Sequence, residues 1–536
     1  MRLTSALQPN LPFGLSRRAS GILVALAIGA LVGLVFWNIQ HTAVTTRPGL
    51  PLDIWHLLRM TSIQAGLSTL LSLSVGMALA WSLNRLFFVG RGIVTGLFAT
   101  AIVTPGLVIA IGLLTVWGRA GWINSALAPI GIDLQSSIFG LHGILAAHVI
   151  LNGAFAANIL LARLEAIPQR KLKIGQSLSL GPARRFAILD WPAMSGALPG
   201  LAAIIFLLAF TSFPIVLILG GGPSNQTLEV AIYSYVRLNF DLNSAVQLAS
   251  VQLAVCMAII LPAISYMPAI ADAGSTKPSK WSDPPLTRAL QGAILIVGVA
   301  GFLLPLLGVL IDGMGPNLFA LMARSSFWNA VWTSLIIGFS SALLVLVLAL
   351  ALAFARAETK NRFWRVLFNL PVYAYLIVPA VVLSLGLFLG IRNLAIAPAQ
   401  AAPFVLIIAN ALLALPFAIS TLGPQIDAIN QRYSRLVRML NLTGLTRWKL
   451  VEWPLLGREI GITLALGFCF SLGDLGVISL FGTQDFSTLP WLMLRAMGAY
   501  RTGDAAAIAA LLLILALVIF WSLPRLFMRL SNAQNH

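Results

Sequence analysis

The chain has 536 residues, of which 59% are hydrophobic and only 9% are charged, and its mean hydropathy is +0.93. A soluble globular protein carries about a quarter charged residues, so this composition excludes one and predicts a polytopic membrane protein. The net charge of +18 would suggest nucleic acid in a soluble domain, but the unequal placement of Lys and Arg on the two sides of a membrane accounts for it. We therefore expect no nucleic-acid partner.

Twelve stretches between charges are long enough to contain a membrane-spanning helix, which needs roughly 20 apolar residues. In chain order they are 21–37, 60–84, 92–118, 134–162, 191–228, 242–271, 289–311, 325–355, 366–391, 393–426, 460–484 and 505–524. These stretches do not alternate polar and apolar residues as barrel strands do, and backbone groups in lipid need internal partners. The sequence predicts an all-α polytopic membrane protein with about 12 transmembrane helices.

The distribution of basic residues predicts the orientation. If the N-terminus is cytoplasmic, 26 of the 34 Lys and Arg residues lie on the cytoplasmic side and eight on the other. This asymmetry follows the positive-inside rule and places both termini in the cytoplasm. The first apolar stretch follows Arg17 and Arg18, but it is long and lacks a small-residue cleavage pattern, so we interpret it as an anchor helix rather than a signal peptide.

The chain contains an internal duplication. Residues 165–170 are matched 262 residues later by 427–432, and four further residues recur at the same spacing: Leu178, Arg185, Trp191 and Pro192 return as Leu440, Arg447, Trp453 and Pro454. Thr61-Ser62 returns as Thr333-Ser334, and Pro105 as Pro379. Six spans per copy is an even number, so the copies are parallel repeats about an axis along the membrane normal, with a pathway on that axis. We predict a first half at 1–272, a linker at 273–287 and a second half at 288–536.

Each copy displays one polar loop, at 163–192 and 425–454, in which apolar and basic residues alternate. The pattern predicts a short amphipathic helix parallel to the membrane. Such a helix can insert into a groove on a partner protein, or it can lie on anionic lipid. Duplication of the loop at a fixed register favours docking.

Residues 178–181 leading to Asp190-Trp191-Pro192, and 440–444 leading to Glu452-Trp453-Pro454, resemble the cytoplasmic coupling loop of ABC-importer permeases. The usual Glu-Ala-Ala triplet is absent, and Ser179 and Asn441 stand where that family has Gly. Segments at 116–122, 219–223, 228–233, 471–477 and 480–501 resemble the fused permeases of thiamine and thiamine-pyrophosphate importers. The resemblance covers essentially the whole chain and implies the MetI-like fold of type I ABC importer permeases.

This resemblance implies a division of labour among subunits. A periplasmic binding protein would deliver thiamine or its phosphate esters, this chain would form the pore, and two copies of an ABC ATPase would dock on the two loops. The chain has no phosphate-binding Gly-x-x-x-x-Gly-Lys-Ser/Thr motif, so ATP and Mg would be used by the partner, and we expect neither enzyme activity nor a bound cofactor. The candidate ATPase-coupling residues are Ser177, Leu178, Ser179, Gly181, Arg184, Arg185, Met439, Leu440, Asn441, Gly444 and Arg447.

Asp474 is the one acid well inside an apolar stretch, and intramembrane carboxylates are costly and often functional. It either forms a helix-to-helix hydrogen bond or takes an interfacial position near the end of the eleventh span, or it lies on the axis and contacts a cationic solute, such as the thiazolium of thiamine. Its counterpart in the first half is Ser212. The candidate pathway residues are Asp474, Ser471, Phe210 and Ser212. We expect His142, His148 and Gln64 to form interhelical hydrogen bonds.

The sequence is also compatible with other transport functions. A related ABC permease could carry ferric iron or another small solute. A secondary transporter with parallel halves would need a relay for its coupling ion, and the near isolation of Asp474 argues against that. Cys256 and Cys469 both fall in apolar stretches, so the sequence predicts neither a metal site nor a disulfide.

Overall fold

A computed structural model describes residues 13–45, 53–131, 137–263, 281, 283–359, 361, 364, 367–368, 371 and 378–532. Most of the predicted linker, 273–287, and both ends of the chain lie outside these ranges. Within them every regular element is a helix, which confirms the predicted all-α fold.

The first half begins with two long helices, α1 (Phe13–Thr45) and α2 (Ile54–Arg85), followed by shorter ones. These are α3 (Arg91–Ala99), α4 (Gly106–Trp117), α5 (Trp122–Leu127), α6 (Leu141–Glu165), α7 (Gln169–Ser177), α8 (Pro182–Arg185), α9 (Trp191–Ser195), α10 (Leu198–Phe210), α11 (Pro214–Leu219), α12 (Leu228–Arg237) and α13 (Leu242–Ala263).

The second half repeats this order with fewer interruptions. Its helices are α14 (Pro285–Gly313), α15 (Pro316–Met322), α16 (Ser325–Ala357), α17 (Ala380–Asn393), α18 (Pro398–Met439), α19 (Gly444–Arg447), α20 (Trp453–Gly473), α21 (Gly476–Phe481), α22 (Leu489–Gly498) and α23 (Thr502–Asn532). Five-residue π-helical segments, Phe186–Asp190 and Trp448–Glu452, precede α9 and α20.

In the described residues, ten helices are long and apolar enough to cross a membrane, or eleven if the bent pair Pro182–Ser195 and Leu198–Phe210 counts as one span. The structure therefore does not confirm the predicted count of twelve. The predicted span at 366–391 lies partly outside the described residues, and its described part is the 14-residue helix α17. The predicted spans at 191–228 and 460–484 are each divided into shorter helices.

Proline explains one difference between the repeats. In the first copy Pro168 caps α7, so the chain breaks between α6 and the loop. The second copy has Asn430 at this position, and α18 continues through it to Met439. Because proline lacks an N–H and disfavours helix in the residue before it, this one substitution accounts for two helices in one copy and one long helix in the other.

The first helix of each half packs on the opposite half. Helix α1 lies against α16 and α17, while α14 lies against α2 and α4; each also contacts its own half, α1 at α13 and α14 at α23. Small residues allow these close approaches: Gly386 of α17 meets Val35, and Gly112 of α4 meets the backbone of Pro305. Asn38 Nδ2 also donates to Gly386 O at 3.0 Å. The halves are thus interlocked by an exchanged helix, an arrangement that small interfacial residues favour in membrane bundles.

We predict that Gly112→Ala destabilises the protein. An added Cβ would overlap the Pro305 backbone, and overpacking of this kind costs about 1–3 kcal/mol. Gly301→Ala on α14 is the matched control, because nothing lies within 4 Å of its added Cβ, and we expect its stability to be unchanged or slightly raised. Thermal unfolding followed by size-exclusion chromatography in detergent measures both. Equal midpoints for the two variants would contradict the observed packing of α14 on α4.

Candidate functional site

A helix break in each half lies at the centre of the molecule. In the first half α10 ends at Phe210 and α11 begins at Pro214, and in the second α20 ends at Gly473 and α21 begins at Gly476. Proline at the start of α11 and the glycines that flank Asp474 explain why neither helix continues. The two breaks occupy equivalent positions in the repeat.

A cavity of about 230 Å³ lies between these breaks. Residues from both halves line it, including the corresponding neighbours Gly106 and Ala380, which follow Pro105 and Pro379, and the corresponding pair Ser212 and Asp474. Because equivalent residues of the two copies face the same space, the cavity lies on the pseudo-twofold axis. Its volume is somewhat below the range of small-molecule sites, about 300–1,000 Å³.

Asp474 is buried at this cavity and uses only one carboxylate oxygen internally. Its Oδ1 accepts a hydrogen bond from the Val477 backbone N–H at 3.1 Å and so caps the start of α21. Its Oδ2 is buried and makes no hydrogen bond to the described residues. This contact is a local helix cap rather than a helix-to-helix hydrogen bond, and Asp474 is also one of the residues that line the cavity.

His148 contributes a polar side chain to the cavity from the first half, whereas Asp474 belongs to the second half. Gln64 Nε2 lies 2.8 Å from its Nδ1 and Ser212 Oγ lies 2.9 Å from its Nε2, while Ser68 Oγ is also within 3.0 Å of Nδ1. With the Gln64 amide in this orientation, Nδ1 accepts and Nε2–H donates to Ser212, a pattern that suits a neutral imidazole. The expected interhelical hydrogen bonds of Gln64 and His148 are present, and His148 also lines the cavity.

The structure separates the four predicted pathway residues. Ser212 and Asp474 line the cavity, whereas Phe210 is fully buried against Phe206 and Ser471 is engaged with Asn410, neither reaching the cavity surface. Two aromatic residues that the sequence analysis did not single out do line it. Phe417 and Phe470 stack with ring centroids 4.7 Å apart. Apolar helices contain many phenylalanines, so sequence alone gave no signal for these two.

The two loops form the same turn. Ser179 and Asn441 both adopt positive φ, 49° and 47°, and in each copy the following residue, Leu180 or Leu442, donates a backbone hydrogen bond to the helix that ends there. This is a helix-terminating turn that favours glycine and tolerates asparagine. A glycine at these two positions would adopt the same backbone conformation without strain.

Most predicted coupling residues lie on the exposed side of these turns. Leu178, Met439 and Leu440 are 67%, 84% and 59% exposed, which is unusual for large apolar side chains grouped together. The other exposed members are Ser177, Ser179, Gly181, Arg184 and Asn441, with Gly444 half-buried. Arg185, by contrast, is buried, and Arg447 is largely turned inward.

No protein-family model matches the chain. The thiamine transport system permease protein ThiP of Brucella melitensis is 36% identical over 508 residues, covering 94% of this chain and 93% of that protein. ThiP of Escherichia coli is 35% identical over 518 residues and 95% of each chain. The chain belongs to this permease family. The resemblance drawn from the sequence is thereby confirmed, and a transport-system permease is not itself an enzyme.

A more distant similarity covers only half of the chain. A permease protein of Salmonella typhimurium, named for 2-aminoethylphosphonate transport, is 25% identical over 270 residues, which is 47% of this chain but 98% of that protein.

We predict that the cavity admits small reagents from water. In a background with Cys256→Ala and Cys469→Ala, Ser212→Cys should react with a small cationic methanethiosulfonate about tenfold faster than Ala209→Cys, because thiol reactivity follows access. Ala209 is fully buried three residues away and does not line the cavity. Labelling rates measured by mass spectrometry in detergent test this. Equal rates would show that the cavity is closed to solutes.

Proposed function

We propose that this chain is the membrane-embedded permease of an ATP-driven importer that carries thiamine and its phosphate esters from the periplasm to the cytoplasm. The observation that carries the proposal is the near full-length similarity to ThiP proteins of several bacteria, for example 33% identity over 472 residues in Haemophilus influenzae. The names of these relatives favour thiamine over ferric iron as the transported solute. They also favour ATP hydrolysis over an ion gradient as the energy source.

The cavity supports a cationic, aromatic solute. Thiamine carries a permanently charged thiazolium ring, and Asp474 Oδ2 offers a buried carboxylate oxygen without a hydrogen-bond partner in the described residues. The paired rings of Phe417 and Phe470 offer π-faces, which attract cations. A neutral His148 would add no positive charge that repels a cationic solute. A solute could therefore be held between the carboxylate of one half and the hydroxyl of Ser212 on the other.

The two coupling loops support a complex with two ATPase subunits and a separate binding protein. Leu178 and Leu440 are exposed apolar side chains at matching positions, so one polypeptide carries two similar docking surfaces, one on each coupling loop. A partner that fits one docking surface fits the other, so one permease would bind two copies of one ATPase. That ATPase would bind ATP and Mg and carry out the hydrolysis. The half-length permease similarity fits the same plan, in which each half corresponds to one permease unit.

The proposed location is the bacterial inner membrane, with both termini in the cytoplasm and lipid around the exposed apolar faces. The support is the asymmetric distribution of Lys and Arg, 26 against eight, with the loop side carrying the excess.

We expect Leu440→Asp to remove one ATPase from the complex. Loss of an exposed apolar anchor and its replacement by a carboxylate weakens a hot-spot contact by about 2 kcal/mol or more. Native mass spectrometry of the purified complex should show one ATPase per permease, and Leu178→Asp with Leu440→Asp should show none. Leu238→Asp, 65% exposed at wild type but remote from the loops, is the control. Two ATPases still bound to the double variant would refute the docking assignment.

We expect Asp474→Asn to lower thiamine uptake about tenfold at equal expression, because hydrogen bonds to charged groups are worth about 1.5–3 kcal/mol. Asparagine still caps a helix, so α21 should remain intact. Asp485→Asn removes the same charge at an exposed site 11 residues away and should leave uptake unchanged. Uptake of labelled thiamine into cells measures both. Wild-type uptake by Asp474→Asn would remove this residue from the pathway.

A further inference from the structure

Four charged side chains meet inside the first coupling loop. Arg185 and Asp190 belong to the loop, Arg85 ends α2, and Asp283 precedes α14. Arg85 Nη2 is paired with Asp190 Oδ2, Arg185 Nη1 lies 3.6 Å from Asp283 Oδ1, and Arg85 Nε lies 4.0 Å from Asp283 Oδ2. The Arg185 guanidinium also stacks over Trp281 at 3.9 Å. All four charged side chains are at most 4% exposed.

The second loop has a corresponding cluster. Arg447 and Glu452 belong to the loop, Glu358 follows α16, and Arg17 lies on α1. Arg17 makes a two-pronged contact with Glu452, at 2.8 and 2.7 Å, and its Nη1 lies 3.3 Å from Glu358 Oε1. Arg447 Nη1 is 3.2 Å from Glu358 Oε1, and its Nε is 2.8 Å from Glu452 Oε1.

The two clusters have the same plan with two signs exchanged. The loop positions keep their sign: Arg185 corresponds to Arg447, and Asp190 to Glu452. The other two places carry opposite signs: Arg85 ends α2 where Glu358 follows α16, and Asp283 precedes α14 where Arg17 lies near the start of α1. Each cluster therefore contains two positive and two negative groups and is neutral.

One reversed place in each cluster is at the start of a helix that packs on the other half. Asp283 precedes α14, which packs on the first half, and Arg17 lies on α1, which packs on the second. Each coupling loop is thus bonded to the first helix of the opposite half. Separating a buried charge from its partner is costly, so loop and exchanged helix should move together.

We propose that Arg17 and Asp283 are positioning residues, each of which binds one coupling loop to the first helix of the other half. The charges that they contribute to the two clusters have opposite signs. Movement of one loop is thereby transmitted to both halves. The reversed polarity matches each helix to its own loop, because an exchange of partners would bring like charges together. This inference rests on the proposed docking of ATPases at the loops.

Charge exchange in the second cluster tests the proposal. Arg17→Asp and Glu358→Arg alone each unbalance the cluster by two charges, whereas Arg17→Asp with Glu358→Arg reproduces the arrangement of the first cluster. The permease, its ATPase and its binding protein are reconstituted in liposomes, and thiamine uptake, ATP hydrolysis and the amount of monodisperse complex are measured. Arg458→Asp is the control, because Arg458 is 61% exposed and pairs only at 3.7 Å with its neighbour Glu459.

The single variants should retain bound ATPase and hydrolyse ATP, but the uptake per ATP hydrolysed should fall about tenfold, and the double variant should recover most of that ratio. If Arg17→Asp yields no folded complex, Arg17→Gln and Glu358→Gln, singly and together, replace the charge exchange in the same measurements, because the double variant again leaves the cluster neutral. A normal uptake-to-hydrolysis ratio per folded complex in the single variants, or no recovery in the double variant, would overturn the proposal. A wild-type complex without ATPase would instead refute the proposed function on which it rests.

Discussion

Inside a bilayer no water is available to satisfy backbone N–H and C=O groups, so each interruption of a helix at that depth must be enclosed by protein. The breaks after Phe210 and Gly473 are enclosed in this way, each facing the other half. The starts of α12 and α22 show the same requirement, because the N–H of Leu228 donates to Thr61 Oγ at 3.0 Å and that of Leu489 donates to Ser334 Oγ at 2.8 Å. The central cavity exists because two such breaks meet on the axis.

Fusion of the halves allows this cavity to be asymmetric. A symmetric dimer would place the same residue twice on the axis, and two carboxylates at the centre would repel each other. Here one copy contributes Asp474 and the other Ser212, while His148 in the first copy corresponds to Asn410 in the second. One carboxyl group and two aromatic rings thus line the cavity from the second half, and the duplicated backbone keeps the two walls in register.

The exchanged helices connect this site to the loops. Because α1 and α14 each pack on both halves, a rotation of one half against the other would disturb the contacts of both helices. The charge clusters lie where these helices meet the loops, and they are buried, so their pairs resist separation. Paired charges at these positions do little for net stability, yet they specify which helix belongs to which loop.

Composition and repeats in the sequence were enough to determine the membrane class, the all-α fold, the duplication and the two loops with their exposed apolar side chains. They also singled out Asp474 and Ser212 as candidates, and both residues line the cavity. The tertiary structure alone decided the exchange of α1 and α14, the burial of Arg185, the cap formed by Asp474 and the presence of Phe417 and Phe470 at the cavity. The tertiary structure also showed that the predicted spans at 191–228 and 460–484 are interrupted and form shorter helices. The reason is physical: in lipid every helix face is apolar, so periodicity does not reveal which face meets which helix. Pairs such as Arg17 and Glu452, 435 residues apart, are set by packing alone.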